Sequence, residues 1–153
     1  MDDSQKNKKW DQRFMDLCNH ISNWSEDPHF KVGAVIVGSS NEIISTGYNG
    51  FPRGVDASPA SRFNRENGEK FFWVEHAERN AIYNASRSGV KLADCSIYIN
   101  RFPCADCARA IIQTGIKSIY CPAKPKVDGS LDHSFDVAEI MIGETRLKLN
   151  ILE

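Results

Sequence analysis

The sequence predicts an α/β domain in which helices cover both faces of a central sheet. Short runs of β-branched residues recur along the chain and alternate with segments of helical spacing, several of which end at a glycine. A length of 153 residues, 41% of them hydrophobic, is sufficient for one domain with a single core. We predict one domain over residues 10–153. Residues 1–9 are polar and lysine-rich, which predicts a flexible tail.

The elements are predicted from local spacing. Apolar residues from Trp10 to Ile21 recur at helical intervals and predict an amphipathic first helix. Residues 49–70 have no period and are rich in turn formers, which predicts a long loop, of the kind that is usually functional or mobile. The other predicted elements are strands at residues 32–37, 43–48, 96–99, 116–121 and 147–152, and helices at residues 76–88, 104–114 and 135–142.

Two segments carry metal-binding chemistry. His76-Ala77-Glu78 supplies one imidazole and one carboxylate, and Pro103-Cys104-Ala105-Asp106-Cys107 supplies two thiols. An imidazole and two thiolates suit zinc, and three protein ligands are typical of a catalytic site that keeps its fourth position for water. Zinc lowers the pKa of such a water towards neutrality. We therefore predict one zinc ion bound by His76, Cys104 and Cys107.

Helical geometry assigns Glu78 a different role from the ligands. If His76 opens a helix, Glu78 points about 200° away from it and is poorly placed to bind the same ion, so we expect it to face the substrate. Pro103 suits the first turn of a helix, and Cys104 and Cys107 share one face. A helix N-terminus favours thiolate over thiol, as a metal ligand requires.

The pattern H-x-E followed by P-C-x-x-C is the signature of zinc nucleobase deaminases. With it, the chain resembles the cytidine deaminase superfamily, and residues 31–37 and 46–54 resemble its deoxycytidylate deaminase branch. The resemblance extends from about Trp10 to Pro122. It implies a three-layer α/β/α domain with a five-stranded mixed sheet, in which zinc lies between two helix N-termini.

The resemblance also implies the reaction. It is the hydrolysis of a cytosine nucleotide, dCMP to dUMP and ammonia, in which Glu78 moves the protons. Asn49 is expected to hold the base or the sugar, and the backbone N–H of Ala77 to contact the pyrimidine carbonyl. Family members commonly form homo-oligomers. Many deoxycytidylate deaminases bind a second zinc, but residues 59–74 contain no histidine or cysteine, so we predict one zinc per subunit.

Several assignments stay open at this stage. A nucleotide needs phosphate ligands, and the candidates by charge are Arg53, Arg62, Arg65, Lys124, Lys126 and His133. Residues 71–73, Phe-Phe-Trp, either wall the pocket or form a subunit contact. Cys18, Cys95 and Cys121 form no spaced framework and are predicted to be small buried residues.

Composition restricts the class of protein. With 19 basic and 20 acidic residues the net charge is −1, which argues against a nucleic-acid substrate without excluding a local basic groove. No run of about 20 apolar residues and no apolar leader is present, so we expect no membrane partner and a cytoplasmic location.

Three functional hypotheses remain. The leading one is a dCMP deaminase. The second is a deaminase of another base, nucleoside, triphosphate or tRNA adenosine, although residues 139–153 offer only Arg146 and Lys148 against three glutamates. The third is a zinc-stabilised scaffold or regulatory binding module without turnover. A purely structural zinc site would need a remote fourth ligand such as His133 or Cys121, and Glu78 would have no purpose in it.

Overall fold

The computed structural model describes residues 3–126 and 130–153. In chain order its helices and strands are α1 (Asp3–Ser22), β1 (Gly33–Val37), β2 (Ile43–Tyr48), α2 (Glu69–Trp73), α3 (Ala77–Arg87), β3 (Ser96–Ile99), α4 (Ala105–Gln113), β4 (Ser118–Cys121), α5 (Ser130–Gly143) and β5 (Lys148–Ile151). Two short 3-10 helices, Ala60–Phe63 and Glu66–Gly68, precede α2.

The five strands form one mixed sheet in the order β2-β1-β3-β4-β5. β1 is antiparallel to both of its neighbours, β2 and β3. β3, β4 and β5 run parallel to one another. A parallel connection requires a crossover, and α4 and α5 provide the two crossovers that link these three strands. The predicted five-stranded mixed sheet is confirmed.

Both faces of the sheet are covered, as the alternation of side chains in β1 shows. Ala34 and Ile36 lie in the larger core, which the sheet shares with α3, α4 and α5. Val35 and Val37 point to the opposite face and lie in the core under α1. Because both faces are buried, β1 is apolar throughout rather than alternating with polar residues. The three-layer arrangement is therefore confirmed.

The first helix begins earlier than predicted. Residues 3–9, expected to be a flexible tail, are the first part of α1, while Met1 and Asp2 lie outside the described residues. Lysine and glutamine are good helix formers without an apolar stripe, so hydrophobic spacing could not reveal this extension. Although α1 has 20 residues, no helix of the described part of the chain is long and apolar enough to span a membrane.

Two further predictions about local structure can be compared with the fold. The loop at residues 49–70 contains the two 3-10 helices and the start of α2, so it is less irregular than its composition indicates. The predicted burial of Cys18, Cys95 and Cys121 is confirmed, and all three are free thiols.

The backbone of α3 packs directly against Gly47 in β2. A methyl group on this residue would lie 2.3 Å from the backbone nitrogen of Ala81 and 2.4 Å from the carbonyl oxygen of Ala77. These are backbone atoms of α3, so a rotamer change could not relieve the clash. The missing side chain at Gly47 therefore sets the distance between the sheet and the start of α3.

Substitution of Gly47 by alanine should separate α3 from β2. We expect Gly47→Ala to lower the free energy of unfolding by about 1–3 kcal/mol, as overpacking does elsewhere. The matched control is Gly143→Ala, where nothing lies within 4 Å of the new methyl group. Urea denaturation measures both. Equal losses for the two variants would contradict the proposed close contact.

Candidate active site

The three predicted metal ligands lie at the N-terminal ends of two helices. His76 is the N-cap of α3 and Cys104 is the N-cap of α4, each with an extended backbone. Cys107 lies in the first turn of α4 and is fully buried. Neither N-cap side chain makes a capping hydrogen bond, so both are available to other groups.

The three ligand atoms are close enough to share one ion. His76 Nδ1 lies 3.4 Å from the Sγ atom of each cysteine, and all three atoms lie within 4.8 Å of one another. A tetrahedral zinc with bonds of about 2.0–2.1 Å to nitrogen and about 2.3 Å to sulfur places such atoms roughly 3.5 Å apart. The donor set and its spacing therefore fit zinc. No fourth histidine, cysteine or carboxylate from residues 3–126 or 130–153 joins the group.

The two thiols differ in acidity. The hydrogen bond from the Cys107 thiol lowers the pKa of Cys104 to about 4, against burial, and the contact with His76 acts in the same direction. Cys107 donates that hydrogen bond and is buried, so its pKa is raised well above the usual value. Burial lowers the pKa of His76, but the contact with Cys104 and the charge of Glu78 outweigh it and raise the pKa overall.

Glu78 is a buried carboxyl group in the first turn of α3, only 4% exposed. Its burial raises its pKa, and the charge of His76 opposes this shift. A carboxyl group in such surroundings can hold a proton nearer to neutral pH than an exposed one, which suits a group that both accepts and donates protons.

One pocket contains most of the predicted site residues. Its wall includes His76, Ala77, Glu78, Cys104 and Asn49. Cys107 lies behind this wall with its sulfur directed at His76. The remaining wall is formed largely by apolar and cationic side chains, among them Phe30, Arg65, Lys70, Phe71, Arg101, Phe102 and Phe135. Such a wall suits a flat heterocycle that carries a negative charge.

Residues 8–123 match the model of the cytidine and deoxycytidylate deaminase zinc-binding region. The chain belongs to this family. It is 46% identical over 114 residues to a deaminase of Aliivibrio fischeri, covering 74% of this chain and 73% of the relative. It is 44% identical over 115 residues to the deoxycytidylate deaminase of Homo sapiens, covering 72% of this chain but 63% of the human protein.

The fold comparison agrees with the family. The dCMP deaminase of cyanophage S-TIM5, solved in complex with dCMP and dUMP, superimposes with a TM-score of 0.73 over 99% of each chain. The two sequences are 22% identical, so this likeness supports the fold.

Asn49 lines the pocket, but most of its polar groups already have partners in the protein. Its amide oxygen accepts a hydrogen bond of 2.8 Å from the Val32 N–H. Its amide nitrogen donates to the Phe30 carbonyl at 2.8 Å and to Asp27 at 3.3 Å. Both amide protons are therefore used, which leaves the second lone pair of the oxygen for a substrate. The role of Asn49 in holding the base or the sugar stays a prediction.

Asp27 organises this side of the pocket and was missed from the sequence. Its buried carboxylate lies 2.6 Å from Lys70 Nζ and accepts hydrogen bonds from the backbone N–H groups of His29 and Phe30. It also accepts from Asn49. Asp27 precedes a proline after the end of α1, so its sequence context is that of an ordinary turn residue.

Glu75 and Arg79 form a hydrogen-bonded group that includes the backbone of His76. Glu75 Oε1 accepts hydrogen bonds from the His76 backbone N–H at 3.0 Å and from Arg79 Nε at 2.6 Å. Glu75 is also tied to Gly50 by a pair of backbone hydrogen bonds. These contacts of Glu75 fix the backbone where the chain enters α3. The spacing of four residues between Glu75 and Arg79 could have indicated this ion pair from the sequence, but the same spacing is common on solvated helices.

The structure separates the candidate phosphate ligands. Of the six, only Arg65 lines the pocket. Arg53 bonds to Asn84, Arg62 donates to the Asp56 carbonyl, and Lys124 pairs with two carboxylates of α5. Lys126 and His133 are exposed and lie outside the pocket wall. Lys70 and Arg101, which sequence reasoning did not select, do line it.

Residues 71–73, the aromatic segment in α2, were expected either to wall the pocket or to form a subunit contact. Phe71 lines the pocket. Phe72 is 83% exposed and is not part of the pocket wall, and the Trp73 ring nitrogen donates to Glu69. The segment therefore supplies one wall residue and one large exposed side chain.

The ion pair of Asp27 and Lys70 should be needed for stability. Asp27→Asn leaves the Lys70 charge buried without its partner, and we expect a loss of about 3–5 kcal/mol in the free energy of unfolding. The double variant Asp27→Asn with Lys70→Met removes both charges and should recover most of that loss. Chemical denaturation measures both variants. A double variant as unstable as the single one would show that the two charges are not coupled.

The same pair predicts a pH dependence. Burial opposes ionisation of Asp27, but the Lys70 contact and the backbone N–H groups outweigh it and hold its pKa below the usual value. The resulting stabilisation is complete above the unfolded-state pKa of about 3.9 and is lost as pH falls through the lower folded-state pKa. We expect the parent to lose stability more steeply below about pH 4 than Asp27→Asn. Parallel slopes in pH-dependent denaturation would contradict this assignment.

Proposed function

We propose that this chain is a zinc-dependent hydrolase that converts dCMP to dUMP and ammonia. The observation that carries the proposal is the convergence of His76, Cys104 and Cys107 beside the buried carboxyl group of Glu78 in one pocket. A scaffold site needs no such carboxylate. The choice of dCMP is supported by the deoxycytidylate deaminases among the relatives, of which the human enzyme is covered over 63% of its length.

The residues have separate proposed roles. His76, Cys104 and Cys107 would hold the zinc ion, which when bound supplies a Lewis acid that makes a water molecule nucleophilic at neutral pH. Glu78 accepts a proton from the attacking water and delivers it to the ring nitrogen next to the amine; it then takes the remaining proton of the added hydroxyl group and gives it to the amino group, which leaves as ammonia. Both transfers use the same carboxyl group, so a raised pKa serves both directions.

The base is positioned by groups that flank Glu78. Ala77 is the first residue of α3, so its backbone N–H has no acceptor within the helix and can donate to the pyrimidine carbonyl. The free lone pair of Asn49 can accept from the base or a sugar hydroxyl. Phe71 and Phe102 line the same pocket, exclude water from the ring and offer apolar surface to it.

Assembly and location extend the proposal. We propose a homo-oligomer, because Phe72 is 83% exposed beside a pocket residue and offers apolar surface to a second copy. Sedimentation of the zinc-loaded protein tests this, and monomer alone at micromolar concentration would contradict it. A cytoplasmic location stays a prediction.

Metal content tests the ligand assignment. We expect one zinc per chain in the parent and loss of tightly bound zinc in Cys107→Ser, because only two protein ligands remain. Cys95→Ser is the control, since Cys95 is a buried thiol outside the ligand group. Elemental analysis of gel-filtered protein gives the ratio, and circular dichroism confirms folding. Two zinc ions per chain, or a full complement in Cys107→Ser, would refute the assignment.

Ammonia release tests the activity. Zinc-loaded parent should deaminate dCMP, and Glu78→Gln should lower kcat by about 10²–10⁴-fold, the usual contribution of acid–base catalysis. Glu144→Gln, an exposed carboxylate after α5, is the matched control and should leave kcat unchanged. The panel also includes CMP, dCTP, deoxycytidine, cytosine, guanine and adenosine. Activity on another member but not on dCMP would keep the chemistry and overturn the substrate, and silence throughout in folded, zinc-loaded protein would overturn the proposal.

A further inference from the structure

Three cationic side chains surround the ring of Phe30 at the pocket. The guanidinium carbon of Arg101 lies 4.2 Å from the ring centroid, that of Arg65 lies 5.1 Å away, and Lys70 Nζ lies 5.8 Å away. All three side chains and Phe30 itself belong to the pocket wall that also contains Glu78. Positive charge is therefore concentrated around Phe30 in the pocket of the proposed catalytic group.

The three cations differ in how they are neutralised. Lys70 is paired with Asp27 at 2.6 Å. Within residues 3–126 and 130–153, no carboxylate lies within 4 Å of a nitrogen of Arg65 or Arg101. A guanidinium group stacked on an aromatic ring keeps its N–H groups at the edge, where they can donate to an anion. Arg65 and Arg101 thus offer positive charge that the described part of the fold does not neutralise.

Arg101 is also partly withdrawn from water. It is half-buried, and its guanidinium carbon lies 5.9 Å from the centroid of Phe135 as well as close to Phe30. Burial lowers its pKa, the charge of Glu78 opposes this, and the charge of Arg65 lowers the pKa further. Two like charges on the same aromatic ring repel, and an anion bound to both would offset that repulsion.

The position of Phe30 is itself fixed. Asp27 accepts a hydrogen bond from the Phe30 backbone N–H, and Asn49 donates to its carbonyl oxygen. The ring that orients Arg65 and Arg101 is consequently held by the same buried network that holds Asn49. This arrangement resembles a built anion site more than two independent surface arginines.

We propose that Arg65 and Arg101 bind the 5′-phosphate of a nucleoside monophosphate and so make the pocket specific for nucleotides over nucleosides. The inference rests on the proposed deaminase function and names the part of the substrate that these residues recognise. A phosphate presents three oxygen acceptors, enough for two guanidinium groups at once.

The first test compares dCMP with deoxycytidine as substrates. Arg101→Met should lower kcat/KM for dCMP by about 10- to 100-fold, the value of a lost charge-assisted contact, and should change kcat/KM for deoxycytidine little. Arg65→Met should act in the same direction. Arg101→Lys should recover part of the loss because it restores the charge without the planar fork. Arg87→Met, at the exposed end of α3, is the control and should behave as the parent.

The second test does not depend on turnover. Calorimetry on zinc-loaded protein should show that the parent binds dUMP at least about tenfold more tightly than deoxyuridine, and that Arg101→Met loses this preference. Equal affinity of the parent for the two ligands, or equal losses on dCMP and deoxycytidine in folded Arg101→Met, would overturn the proposal. A parent that prefers dUMP but releases no ammonia from dCMP would instead refute the deaminase function and leave the phosphate site standing.

Discussion

An imidazole and two thiolates can hold one ion only if the N-terminal ends of α3 and α4 meet within a few ångströms, and this convergence constrains the rest of the structure. The three ligand atoms lie within 4.8 Å of one another. Gly47 lets the start of α3 approach the sheet, since a methyl group there would strike the backbone of α3. α4 follows β3 and crosses to the parallel strand β4, which places its first turn at the same edge of the sheet.

Two separate networks of ion pairs and hydrogen bonds pair the charged side chains that lie near this edge of the sheet. In the first network the Glu75 carboxylate accepts hydrogen bonds from Arg79 and from the His76 backbone N–H, and the Glu75 backbone pairs with that of Gly50. In the second network the Asp27 carboxylate pairs with Lys70 and accepts hydrogen bonds from Asn49 and from the Phe30 backbone N–H. Among the described residues no lysine, arginine or histidine nitrogen lies within 4 Å of a Glu78 carboxyl oxygen, and its burial raises its pKa although the charge of His76 opposes the shift. The ion pairs thus fix the walls of the pocket and leave Glu78 available for the proton transfer that we propose.

The sequence predicted local features well and long-range ones poorly. The three candidate ligands and Glu78 could be selected from the sequence because their chemistry is carried by short spacings within two helix starts, and the resemblance of these motifs predicted the five-stranded mixed sheet. Asp27, Lys70 and Arg101 were missed because each is ordinary in its local context and gains its role only from partners distant in sequence. The early start of α1 was missed because a solvated helix of lysine and glutamine has no apolar period.

The central claim is that two cysteines and one histidine form an open zinc site. Zinc K-edge X-ray absorption of the metal-loaded protein tests it most directly, because sulfur and lighter ligands scatter at different distances. We expect two sulfur atoms at about 2.3 Å and two nitrogen or oxygen atoms at about 2.0–2.1 Å, one of which is replaced when a tight ligand such as cyanide is added. Three or four sulfur ligands, or a spectrum that no added ligand alters, would indicate a closed structural site and contradict the account.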